Sequence, residues 1–318
     1  MATSGTYSFT VTTNDLVRES MLNIGKLGES EGPTSQEYTD IVRKLNMIVK
    51  QLQGAADFSK GVKMWTRRIG HLFLSNLIGQ YNLGPTATGW TNSYVSTTVP
   101  YNAYTGATSI QVTSIVGMHV GDYIGIQTTS GDLFWTTIVA PLSGVTVNLN
   151  TALTSDIPMN GVIYTFTTKA QQPIVIDYVF LRDAQSQDTP IKIMDVLEYA
   201  MLPSKTDLTN QSDPSSVYIE NQIGYSILNL DVGAAADVTK HVVVGYLESV
   251  QDVSGALTET LEYPQEYFRA LSWMLAREIC PMFNAEWTPL MAELCKESIS
   301  IAQNKDPETS SLYFQCNE

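Results

Sequence analysis

Between Thr91 and Thr168 the chain carries no Lys or Arg, three acids (Asp122, Asp132, Asp156) and sixteen Thr. So little charge leaves no solvated face for an amphipathic helix, and Thr, stiff at its branched Cβ, packs best on a pleated strand. Period-2 segments recur through the stretch at Ser109–Ile115, Asp122–Thr128, Leu133–Val139, Val145–Leu149 and Val162–Phe166. Ser130-Gly131-Asp132 reads as a hairpin turn between two of them. The expectation is an inserted all-β module, barrel or sandwich, over residues 91–168.

The flanks carry helical signals. Thr13 is expected to cap a helix through Ile24, ending near Gly25 or Gly28. Thr34-Ser35-Gln36-Glu37 has the capping-box spacing, and Tyr38, Ile41, Val42, Leu45, Ile48, Val49 and Leu52 follow at helical intervals. Short strands are predicted for Met64–Leu74 and Gln80–Leu83, and beyond the module for Pro173–Tyr178, Val217–Glu220, Tyr225–Leu230 and His241–Glu248. A short helix is expected around Met194–Met201. Two more close the pattern, one from Pro264 through Ile279 and one from Pro289 to about Asn304. The fold expected is α+β: a helical bundle-like base with short strands over 1–90 and 169–305, the β module over 91–168, and an extended C-terminal tail over 306–318.

Charge narrows the function. The formal net charge is −14, with charged residues only 16% of the chain. Residues 1–90 hold nine basic and seven acidic groups, a net of +2; residues 91–318 hold nine and 25, a net of −16. That balance excludes a broad basic surface for gripping nucleic acid. Met1–Thr13 has neither the basic nor the apolar region of a secretory signal, and no apolar run is long enough to span a bilayer. The three cysteines, Cys280, Cys295 and Cys316, read as reduced thiols of a protein made in a cytosol, although a Cys280–Cys295 bridge is conceivable.

Catalytic templates find no match. The chain has no P-loop, dinucleotide fingerprint or Gly-x-Ser-x-Gly, and His71, His119 and His241 fall in separate elements without ligand spacing. Glu29 with Glu31, and Glu259 with Glu262, precede helices, where the dipole favours acids irrespective of catalysis. Trp65 with Arg67 and Arg68 reads as a nucleic-acid contact, or as a strand whose arginines face an acidic neighbour. Trp90, Tyr94, Tyr101 and Tyr104 read either as a sugar platform or as the module's anchor. Leu312-Tyr313-Phe314 is an apolar cluster in a polar tail. Leaving such groups in water forfeits about 1.5–3 kcal/mol each, so docking on the chain's own body or on a partner is expected.

The order of these elements resembles the head-to-tail adaptor proteins of short-tailed bacteriophages, also called tail accessory or head-completion proteins. The resemblance is carried by Tyr7-Ser8-Phe9-Thr10-Val11-Thr12, Gly25-Lys26-Leu27-Gly28, the helix Tyr38–Leu52, Trp65-Thr66-Arg67-Arg68 and Gln80-Tyr81-Asn82-Leu83. It continues with Asp188-Thr189-Pro190-Ile191, Tyr263-Pro264-Gln265-Glu266 and Asp306–Gln315, so both flanks are covered; the β module departs from the pattern. The resemblance implies a structural virion protein of the tail or neck, assembled in the host cytoplasm, with no substrate, cofactor, metal or membrane. Twelve copies would ring a portal protein, extend a channel that DNA passes without specific binding, and support tail nozzle and fibre proteins. Leu312, Tyr313, Phe314 and Gln315 would dock on the portal, and Trp65, Arg67 and Arg68 would meet subunits or partners. Alternatives are a muramidase-like, peptidoglycan-degrading tail protein, or host-glycan binding through the β module.

Overall fold

A computed structural model describes residues 9–28, 31–53, 67–76, 78–203, 211–232, 234–235, 237–261, 263 and 265–304. The chain divides into two units, Met1–Thr66 with Val250–Glu318, and Arg67–Ser249.

The first unit is helical. Thr12, one residue earlier than expected, caps α1 (Thr13–Asn23): its hydroxyl accepts from Asp15 N–H, and the Asp15 carboxylate accepts from Thr12 N–H at 3.1 Å. Gly25, at φ +68°, ends the helix, letting Lys26 N–H reach back to the Met21 carbonyl. The predicted box at Thr34 and Glu37 opens α2 (Ser35–Gln53). On α2, Asn46 holds the Val253 backbone by both its N–H and its carbonyl. Helix α4 (Tyr267–Ile279; α3 belongs to the second unit) packs against α1, α2 and α5 (Pro289–Asn304). Its buried residues, among them Tyr267, Phe268, Leu271, Leu275 and Ile279, form a broad apolar face, with Arg269 and Arg277 exposed on the other side.

The second unit is built on sheets. Strands β1 (Arg67–Phe73), β2 (Gln80–Leu83), β3 (Trp90–Thr91), β10 (Pro173–Arg182), β11 (Asp188–Met194), β13 (Ser216–Asn221), β14 (Ser226–Leu230) and β16 (His241–Glu248) make an eight-stranded sheet. Its order is β2-β14-β13-β11-β10-β16-β1-β3, and within it β11 and β13 run parallel. Helix α3 (Val196–Ala200) links β11 to that parallel pairing, and β12 (Gln211–Ser212) pairs with β15 (Ala234–Ala235). The Thr-rich stretch holds a six-stranded sheet of β4 (Val95–Thr98), β5 (Ser109–Gln111), β6 (Tyr123–Gln127), β7 (Leu133–Ser143), β8 (Thr146–Leu149) and β9 (Val162–Phe166), in the order β4-β9-β6-β7-β8-β5. Strand β7 turns the corner, pairing with β6 through Thr137 and with β8 from Ile138 onward. Around it close Ile110, Ile124, Ile126, Val147 and Ile163.

These sheets overturn the expected fold class. Residues 67–90 and 169–249, assigned to a helical bundle-like base, contribute all eight strands of the larger sheet, and α3 is the only helix among their described residues. The short strands there are not accessories to helices. They pair with one another over long sequence separations, so the protein is mostly β, with helices confined largely to the first unit.

Three aromatic rings lie flat on glycines, where any Cβ would collide. A Cβ on Gly70 would sit 1.9 Å from the Trp90 ring, one on Gly245 2.2 Å from Tyr178, and one on Gly125 2.6 Å from Trp135. The last two pairs are direct cross-strand partners. Trp90 is fully buried, and its indole N–H donates to the Gln171 carbonyl at 3.0 Å. Burying such a ring removes on the order of 200 Å² from water, about 5 kcal/mol at 25 cal/mol per Å². Displacing it is therefore costly. Gly70→Ala is expected to lower unfolding free energy by about 2–3 kcal/mol in urea titrations. Gly32→Ala, which meets nothing within 4 Å, should change it by less than about 0.5 kcal/mol.

Candidate functional site

Strand alternation decides which side chains can meet. Across β10, β16 and β1 one row reads Arg182, His241, Phe73 and the next reads Leu181, Val242, Leu72. The second row enters an aliphatic core with Val179, Val244 and Tyr246. The first row, with His71, projects from the opposite face onto aromatics of the Thr-rich sheet.

There Phe73 stacks on Tyr164 with centroids 4.1 Å apart and meets Tyr94, Trp135 and Phe166. His71 and His241 sit 5.3 Å apart, centroid to centroid. The Tyr94 hydroxyl lies 3.3 Å from His241 Nε2, while Tyr164 donates to the carbonyls of Val238 and Thr239. His71 Nδ1 is buried without a hydrogen-bond partner. Burial pushes both imidazoles down to about 4; the Arg182 charge adds to the shift at both, His71 adds to it at His241, and Asp188 opposes it. Arg182 is held by Asp188 through two bonds of 2.7 Å. At neutral pH the pair is uncharged, which an aromatic box tolerates. Sequence spacing separated these histidines by 170 positions; the β1–β16 register brings them together. His119 stays apart, 3.7 Å from Asp122 and exposed. No group of three or more His, Cys, Asp or Glu able to hold a metal occurs among the described residues.

The four aromatics read as one set split in two. Trp90 is buried and Tyr94 half-buried against the aromatic cluster, as an anchor would be. Tyr101 and Tyr104 stand exposed, at 67% and 68%. With Asn102, Thr105, Ser109 and Gln111 they border a groove of about 510 Å³. Strand β5 buries Ile110 and turns Ser109 and Gln111 outward, and Gln111 pairs with Thr146 of β8. The tyrosine loop is strapped down: Ala103 and Ile157 exchange backbone bonds, Gly106 N–H donates to Leu153, and Leu153 N–H to Ala107. Thr105 donates its N–H and hydroxyl to Asp156 at 2.8 and 2.9 Å, which holds that carboxyl below its usual range.

The other sequence candidates do not converge. Trp65 and Leu312, Tyr313, Phe314 and Gln315 lie outside the described residues, as do Glu29, Glu262 and Cys316. Arg67 pairs with Asp177 at 3.1 Å, on β10 across β16, and Arg68 pairs with Glu248 at 3.6 Å, on the adjacent β16. Exposed pairs of this kind contribute about 0–1 kcal/mol. Glu31 accepts from Gly28 N–H, and Glu259 from Ser254 and Gly255, so each organises its own loop. Cys280 and Cys295 are free and buried. No helix among the described residues is long and apolar enough to cross a membrane.

No family model matches the chain, and no curated protein does. Among solved structures it is similar, at 16% identity and a TM-score of 0.22, to the Gp54 tailspike of Acinetobacter baumannii bacteriophage AP22 in complex with A. baumannii capsular saccharide. The overlap covers 25% of this chain and 16% of that one. A match so short bears on neither fold nor function.

The histidine pair makes stability depend on pH. Unfolded imidazoles titrate near 6.5 and the folded ones near 4, so between these values the unfolded state binds more protons. Stability is then full above about pH 6.5 and falls as pH drops toward 4. At about 1.4 kcal/mol per unit, discounted for the partial exposure of His71 and for coupling, the pair loses roughly 2–3 kcal/mol by pH 4.5. Urea midpoints at pH 7.0, 5.5 and 4.5 should show the decline, and His71→Asn with His241→Gln should flatten it. An equally steep decline in the double variant would contradict the assignment.

Proposed function

We propose that this chain is a structural virion protein, a head-to-tail adaptor whose copies ring a portal, extend the DNA channel and support the nozzle and fibres of the tail. The observation that carries this reading is the meeting of both flanks in one helical unit. Segments from Thr12 to Leu52 and from Tyr263 to Asn304, which bear the Gly25–Gly28, Tyr38–Leu52 and Tyr263–Glu266 parts of the adaptor resemblance, share a single core. Helix α4 is enclosed there by α1, α2 and α5, and α5 leads in sequence to residues 306–318. Met47 on α2 and Leu290 and Ile301 on α5 remain exposed, apolar groups suited to packing against further copies or the portal.

The mechanism is assembly. A folded body meets a preformed ring, and Leu312, Tyr313, Phe314 and Gln315 gain apolar burial on docking, at about 1.5–3 kcal/mol for each large side chain. In such a ring, carboxylates of this acidic chain (net charge −14) that face the channel would repel phosphates, so the genome would slide without being held. Twelve copies follow if the ring copies a dodecameric portal.

Deleting 306–318 should abolish decoration of portal rings in electron micrographs while the circular-dichroism spectrum and melting of the body stay unchanged. Full decoration by the truncated chain would rule out the tail assignment. The intact chain failing to bind any portal ring would rule out the adaptor reading.

A further inference from the structure

We propose that the groove beneath Tyr101 and Tyr104 is a binding site for a neutral, hydroxyl-rich polysaccharide. The inference rests on the groove alone and does not depend on the adaptor reading.

Two large aromatic side chains three residues apart, each two-thirds exposed, forfeit burial that the fold gives Trp90 and Tyr94. Their rings offer flat apolar faces with a hydroxyl at the rim, which match the C–H faces of pyranose rings. Around them are amides and hydroxyls: Asn102, Thr105, Ser109, Gln111 and Thr146. Asn102 uses its carbonyl to accept from Met159 N–H at 2.7 Å and keeps its amide donors for a ligand. Gln111 and Thr146 face the same side of the β5–β8 pair, so an amide and a hydroxyl stand side by side in the lining.

The charge pattern selects the ligand class. No ionisable group other than the two tyrosines lines the groove, and no Lys or Arg occurs anywhere from Thr91 to Thr168. A nucleic acid or an acidic polysaccharide would find no counter-charge. A cation would find a single nearby carboxylate, Asp156, with one oxygen already accepting from Thr105 N–H and hydroxyl. A neutral glycan needs neither. The volume, about 510 Å³, falls in the ~300–1,000 Å³ range of small-ligand sites. Because the loop is strapped to 153–157 by backbone bonds, little ordering remains to be done on binding.

The test uses the full chain on an array of bacterial capsular and O-antigen repeat units, neutral and acidic. Neutral repeats should bind. Y101A/Y104A should weaken that binding at least tenfold with an unchanged melting temperature, since both rings are exposed, and Y101F/Y104F should retain most of it because stacking survives. Binding confined to acidic repeats, binding that survives Y101A/Y104A, or a neutral array with no signal would each overturn the proposal. A tyrosine-dependent contact found only with another virion protein would do the same. None of these outcomes touches portal decoration, so the adaptor reading stands or falls separately.

Discussion

The antiparallel pairing of β1 with β16 closes the second unit, matching Arg67 to Leu247 at one end and Phe73 to His241 at the other. It joins the first and last strands of that unit. Closing so long a loop costs only slowly more than closing a short one, because the entropy grows with the logarithm of length. The ladder and the burial of Leu72, Val242 and Val244 offset that cost. With a side-chain period of two, this register commits both faces at once. A slip of β1 by one residue would carry His71 into the aliphatic core and strand Leu72 among aromatics.

From that commitment follows the junction with the Thr-rich sheet. Phe73, in contact with both Tyr94 and Tyr164, ties the two sheets together through ring contacts, and neutral histidines complete the box. Glycine makes the close packing possible elsewhere: Gly70, Gly125 and Gly245 each lie under a ring that leaves no room for a methyl group. The six-stranded sheet fills its interior with isoleucine and valine, while the outward positions of β5 and the rings of Tyr101 and Tyr104 stay exposed.

Elements governed by near neighbours were legible from residues alone. Thr34 with Glu37 marked the start of α2, and the spacing from Tyr38 to Leu52 carried it to its end. Val162–Phe166 and His241–Glu248 match their strands to the residue, because each is an apolar run bounded by turn residues. β11 was not legible. No strand is expected from the residues over Asp188–Ile193, yet antiparallel pairing with β10 and parallel pairing with β13 hold them extended. The same blindness produced the helical base: strands seen singly looked like accessories, and nothing local revealed that eight of them share one sheet.

The candidate sites divide along the same line. Residue types and local period by themselves determined the capped helices, the strand-rich stretch without cations, and hence the exclusion of a basic binding surface. Only the tertiary structure decided that two histidines 170 positions apart share one box, that Trp90 and Tyr94 are packed while Tyr101 and Tyr104 are exposed, and that Arg67 and Arg68 meet Asp177 and Glu248. The reason is physical: capping and alternation are written in residues a few positions apart, whereas burial and pairing depend on which distant strand arrives alongside.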